Sequence, residues 1–170
     1  MITQSDNPPA VKYLLEPGYI YLPAAPATIS AVLGSAVSVC LYDRRRGVGG
    51  MNHYPFPFTA ESARATACYG NVATIALIRM MMDDGSRRKH LEAQIFGGAY
   101  NTDVSDKDIG RENARVARKI LQREKILLVS EDTGGVKGRK IVFTTDTSDI
   151  AVIKVAKLRR GDWYPYEHRR

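Results

Sequence analysis

The residues best placed to do chemistry lie in one stretch, Ser30 to His53, which reads SAVLGSAVSVCLYDRRRGVGGMNH. Gly34, Ser35 and Ala36 leave little side chain over the backbone, so another molecule can approach it closely. Gly49 and Gly50 do the same on the return toward Asn52 and His53. Such a stretch offers a site built from backbone amides and one imidazole. Taken alone, His53 fits a structural role better than a catalytic one, because a single histidine after a glycine turn is more often structural or exposed. Cys40 and Cys68 match no zinc spacing, and His53, His90 and His168 are too scattered to complete one, so no metal or cofactor is expected. Both thiols read as free and buried. The segment GGVKGRKI from Gly134 lacks the phosphate-loop spacing and reads as a turn before a strand.

These residues need elements to position them. Val37, Val39 and Leu41 alternate with Ser38, Cys40 and Tyr42, the period of a strand. Arg44–Arg46 with Gly47 makes a turn, so Val37–Tyr42 and Val48–His53 are expected to pair as a hairpin. Lys12–Leu15, Tyr19–Leu22 and Thr28–Leu33 are short strands before it. Pro55 and Pro57 make HYPFPF a loop, whose Tyr54, Phe56 and Phe58 serve either as a pocket wall or as core. Ala60–Asp84 reads as a helix, firmest from Tyr69 and stopped by Gly85. Leu91–Phe96 is a strand, and Asp108 caps a second helix over Ile109–Glu124. Strands at Ile126–Ser130, Lys140–Thr144 and Ile150–Lys157 complete the chain. Strands precede, separate and follow two helices without regular alternation, so the fold class is α+β. Residues 1–10 read as a mobile leader, 11–158 as one domain, and 159–170 as a basic and aromatic tail.

The 170 residues suffice for one domain with a real core. No apolar run approaches the ~20 residues of a membrane span, and the first residues lack the pattern of a signal peptide. A cytoplasmic location without membrane insertion is expected. The net charge is +7, from 25 basic and 18 acidic residues, with the basic ones gathered at Arg44–Arg46, Arg87–Lys89, Arg115–Arg123 and Lys154–Arg170. No nucleic-acid partner is expected, because no basic run interleaves with exposed aromatics and no nucleic-acid-binding motif occurs. An acidic protein surface is the better match to the charge.

The segments Val32–Asp43 (VLGSAVSVCLYD), Gly49–His53 (GGMNH) and Tyr69–Gly70 together resemble the core motif of the CheD family, the chemoreceptor glutamine deamidases of bacterial chemotaxis. The likeness continues through Leu91–Ala99 (LEAQIFGGA), Ile109–Asn113 (IGREN) and Glu131–Arg139 (EDTGGVKGR), over roughly residues 10 to 157. The resemblance implies a sandwich of two mixed β-sheets flanked by helices (α/β/β/α), similar to the catalytic domain of cytotoxic necrotizing factor. It implies His53 as general base and Ser30, in the place of a threonine, as the group that orients it. Gly34, Ser35 and Asn52 are assigned to the oxyanion and the substrate. The implied partners are the cytoplasmic helices of chemoreceptors and a CheC-type phosphatase, with the chain itself a monomer.

One departure decides the chemistry. Ala36 stands where the family has its nucleophilic cysteine, and a methyl cannot attack a carbonyl. Cys40 is no substitute, since four strand residues carry it roughly 13 Å along. Ala36 is either an engineered Cys→Ala change, which the otherwise intact motif favours, or the natural residue of a binding-only relative. The resemblance therefore implies a protein-glutamine deamidase inactive at the chemical step. The alternative is a module that binds chemoreceptors or a CheC-type phosphatase without turnover.

Overall fold

The computed structural model describes residues 11–163. The expected leader at 1–10 and the last seven residues of the expected tail lie outside the described residues. Nine strands form two mixed sheets. One contains, in spatial order, β1 (Val11–Leu14), β3 (Ala27–Leu33), β8 (Gly138–Thr144) and β9 (Ile150–Val155). The other runs β2 (Tyr19–Tyr21), β5 (Val48–His53), β4 (Val37–Asp43), β6 (Leu91–Gly97) and β7 (Leu127–Thr133). Only the β1–β3 and β6–β7 pairs are parallel.

The two sheets share a core because alternate residues of each face the other. Ile29, Ala31 and Leu33 of β3 and Ile141 and Phe143 of β8 meet Ala36, Cys40, Met51 and Phe96. The opposite face of the five-stranded sheet carries Val37, Val39 and Leu41. These pack under Ala73, Leu77 and Met81 of α1 (Gly70–Asp83) and Ala114, Ala117 and Leu121 of α2 (Ile109–Arg123). Strand β4 is thus buried on both faces. Both long helices lie on this sheet, and the one-turn helix α3 (Arg160–Trp163) touches β3 of the other.

The hairpin forms as its turn chemistry requires. The Asp43 carboxylate accepts from the backbone amides of Arg45 and Arg46 at 2.9 and 3.1 Å, and Gly47 adopts φ +65°. The helix expected from Ala60 begins ten residues later. Residues 60–66 are exposed and carry no apolar stripe to bury, so only a single 3₁₀ turn forms at Ser62–Arg64. Tyr69 stays extended, and the side chain of Asn71 exchanges two hydrogen bonds with the backbone of Thr59. Gly85 ends α1 at φ +106°, and Asp108 caps α2 through the Arg111 amide. Gly134 and Gly135 turn between β7 and β8 at positive φ, so a strand follows them, not a phosphate-binding helix.

Candidate active site at the open end of the central hairpin

Strand β5 ends at His53. The β4–β5 ladder pairs Cys40 with Met51 and is met again at the Val37–Tyr54 bridge, which brings Ser38 opposite His53. Val37 and Tyr54 point to the helices, so Ala36, Ser38 and His53 share the inter-sheet face. Residue 36 is then the diagonal neighbour of His53, about 7–8 Å away between Cα atoms in such a ladder. The imidazole is only 1% exposed. Its Nδ1 lies 2.9 Å from the carbonyl oxygen of Leu15, which fixes the ring with the proton on Nδ1. Nε2 is left as the basic nitrogen, buried and without a hydrogen-bond partner among the described residues. Above it opens a cavity of about 340 Å³, walled by Leu14 to Pro17 on one side, Val32 on another, and Arg159, Gly161 and Asp162 on the third.

Burial holds the His53 pKa down to about 4, the Leu15 carbonyl opposing only in part. The ring is therefore neutral at physiological pH. As pH falls below the ordinary value of 6.5, the unfolded chain takes up a proton that the folded chain refuses until about pH 4. The stability contributed by the neutral ring is complete above that window and is lost on the way down, by about 3 kcal/mol. Urea unfolding at a series of pH values checks this. The chain should lose that much more between neutral pH and about pH 4 than its His53→Gln variant does. Parallel curves for the two would remove the claim.

The bend before β4 is tied down by its carbonyl oxygens. Gly34 O accepts from Ala99 N, Ser35 O from Asn113 Nδ2 and Ala36 O from Gly98 N, each at 2.9 Å. Among the described residues, the amides of Ser35 and Ala36 have no acceptor. Gly97, at φ +106°, has no room for a Cβ because the Ala36 carbonyl fills that place. Asn113 also donates to Pro55 O at 3.0 Å, and its own backbone carbonyl accepts from the Tyr54 hydroxyl at 2.7 Å. One buried side chain on α2 therefore clamps the bend to the segment that follows His53. No role for Asn113 is legible in the local sequence. The available signal is an amide lying among Gly110, Ala114 and Ala117 on the buried stripe of α2.

The structure does not gather every expected site residue into the cleft. Of the expected residues, His53 lines the cavity, while Gly34, Ser35 and Ala36 form the bend before β4 and are not among the residues that wall it. Asn52 points to the other face of the sheet, where its Oδ1 accepts from Val39 N at 2.7 Å and its amide reaches Thr74 Oγ1 at 3.5 Å. It replaces a ladder bond and ties β5 to α1, so it does not reach a substrate from there. Ser30 alternates with the buried Ile29 and Ala31, and the bond to the imidazole comes from Leu15 instead. Ser30 takes part through its backbone, its carbonyl accepting from Leu15 N at 2.8 Å. None of Tyr54, Phe56 and Phe58 lines the cavity: Tyr54 is core, and the exposed Phe58 borders a groove beside α1 and α2. Cys40 is buried in the inter-sheet core and its thiol is pushed well above the usual range, so it is inert. Cys68 is half-buried in the loop before α1.

A family model described as CheD chemotactic sensory transduction matches residues 55–154. The chain is also similar to proteins named "Probable chemoreceptor glutamine deamidase CheD". The relative from Trichlorobacter lovleyi is 39% identical over 86% of this chain and 92% of its own length. That from Sulfurimonas denitrificans is 34% identical over 86% and 96%. The one from Caulobacter vibrioides is 39% identical over 79% and 73%.

Proposed function

The chain belongs to the CheD family, and we propose that its cleft is that of a protein-glutamine deamidase acting on chemoreceptors, with the nucleophile missing from this copy. What supports the reading is a neutral, rigidly held His53 whose Nε2 has no partner among the described residues, with residue 36 at a diagonal ladder position to it. With a thiol at position 36, Nε2 takes the thiol proton and the thiolate attacks the carboxamide carbon of a glutamine side chain. The free amides of Ser35 and Ala36 are the donors available to the developing oxyanion, and their pinned carbonyls keep them aimed. The proton returns to the leaving nitrogen, ammonia departs and a thioester remains. Water that gives its proton to His53 then releases glutamate. Hydrolysis of a glutamate methyl ester would follow the same path.

Ala36 favours a second reading. A methyl keeps the cleft closed and shaped but begins no attack, so this chain binds chemoreceptor cytoplasmic helices, or a CheC-type phosphatase, without turnover. From the family likeness we also infer a cytoplasmic, monomeric chain. Restoring the thiol with Ala36→Cys and measuring ammonia from a soluble chemoreceptor fragment separates the two. Turnover supports a deamidase disabled at one atom; binding of that fragment with no ammonia supports the binding module.

A further inference from the structure

Gly34 reads in the sequence as open backbone for an approaching molecule, and in the structure something does approach it. Trp163 is 6% exposed, and its ring packs on Gly34 so closely that a Cβ there would lie 2.8 Å from Cε3. The Ser35 hydroxyl donates to the Trp163 carbonyl oxygen at 3.0 Å. Just before the tryptophan, Arg159, Gly161 and Asp162 form a wall of the cavity over His53. Leu158 anchors the segment by filling the place that a side chain at Gly138 would occupy. The chain's own turn at 158–163 therefore packs on the bend and walls the cavity over the imidazole.

What holds it there is modest. A four-residue helix has no stability of its own. The Arg159–Asp162 pair, at 3.1 Å, is internal to the segment and its arginine is largely exposed, so it adds little. Among the described residues, one indole, one leucine and one hydrogen bond to Ser35 do the holding, a scale at which local opening precedes global unfolding. The surface they occupy is shaped for a helical turn that offers one bulky apolar side chain to Gly34 and a carbonyl to Ser35.

We propose that residues 158–163 are a displaceable occupant of the cleft, and that a partner's helical turn must take their place on Gly34 and Ser35 to reach His53. This rests on the reading of the cleft given above and adds that the free chain is closed by its own C-terminal turn. A partner and the turn exclude one another, so the affinity of a partner is reduced by the cost of opening.

The test needs no chemistry at residue 36. Trp163 is the one tryptophan of the sequence, so intrinsic emission and its quenching by acrylamide report the turn directly. Diethyl pyrocarbonate acylates neutral imidazole, and mass spectrometry of the modified full-length chain reads His53 and the less buried His90 separately. At about pH 7, His53 should react far more slowly than His90. In Trp163→Ala its rate should rise about tenfold, with His90 unchanged. In the unmodified chain, rising urea should expose Trp163 and speed His53 together, before the global transition. A folded Trp163→Ala variant with His53 still shielded would overturn the proposal. Should that variant not fold, the unmodified chain decides: His53 and Trp163 becoming accessible only with global unfolding would overturn the proposal equally. Because ammonia is never measured, these outcomes are independent of whether Ala36→Cys turns over.

Discussion

Ala36→Cys should raise ammonia release from a soluble chemoreceptor fragment by on the order of 10⁴-fold or more above the unmodified chain. The expectation follows from what is already in place. His53 is held by Leu15, and among the described residues Nε2 has no partner and two amides of the bend have no acceptor. Ala36 belongs to the inter-sheet core, and a cysteine there adds one heavy atom. His53 lies at a diagonal ladder position to it. The rate should hold level from about pH 7 down toward about pH 5, since His53 stays neutral and able to take the proton until about pH 4. Adding His53→Ala should return the double variant to background. Opening the cleft with Trp163→Ala should, if anything, speed the single variant. A folded Ala36→Cys protein that releases no ammonia, with or without Trp163→Ala, would end the deamidase reading and leave the binding module.

Asn113→Ala should destabilise the fold by about 3 kcal/mol or more. The side chain is fully buried and gives both hydrogens of its amide to carbonyls, Ser35 O and Pro55 O. Truncation leaves two buried acceptors unpaired, each costing about 1–3 kcal/mol, and a small void beside them. Asn113→Asp should do no better, since it keeps the shape but supplies no donor and buries a charge. Urea unfolding measures the loss. A cost below about 1 kcal/mol would show that the clamp between the bend and the His53 segment is not held by this residue. In the Ala36→Cys background, the same substitution should lower turnover even under conditions where the variant stays folded, because the amides of Ser35 and Ala36 lose their fixed direction.

Several features were legible in the order of residues because short-range physics governs them. The alternation of Val37, Val39 and Leu41 requires a strand, the basic turn with Gly47 folds it back on Val48–His53, and Gly85 and Asp108 bound the helices. The motif around Gly34 and His53 marks a candidate site by family likeness. Direction and company were not legible. Asn52 and His53 are neighbours in sequence, yet a strand sends them to opposite faces, and only the sandwich decides which face meets the cavity. The expected orienting hydroxyl of Ser30 gives way to the carbonyl of Leu15, which is present because β1 and β2 cross from one sheet to the other beside β5. Residues 60–69 carry helix-forming types but no surface to bury, and propensity alone does not sustain a helix.

What the sequence by itself determined about this protein is the nine strands and two long helices, the family motif, and the absence of a nucleophile at residue 36. These depend on periodicity, turn chemistry and residue identity, which neighbours in the chain carry. What only the tertiary structure decided is which groups surround the imidazole, that Asn113 joins the two halves of the site, and that Trp163 covers the bend. Each of these is a contact between segments from 38 to 128 residues apart. Such contacts arise from the packing of whole layers, and no local pattern encodes them.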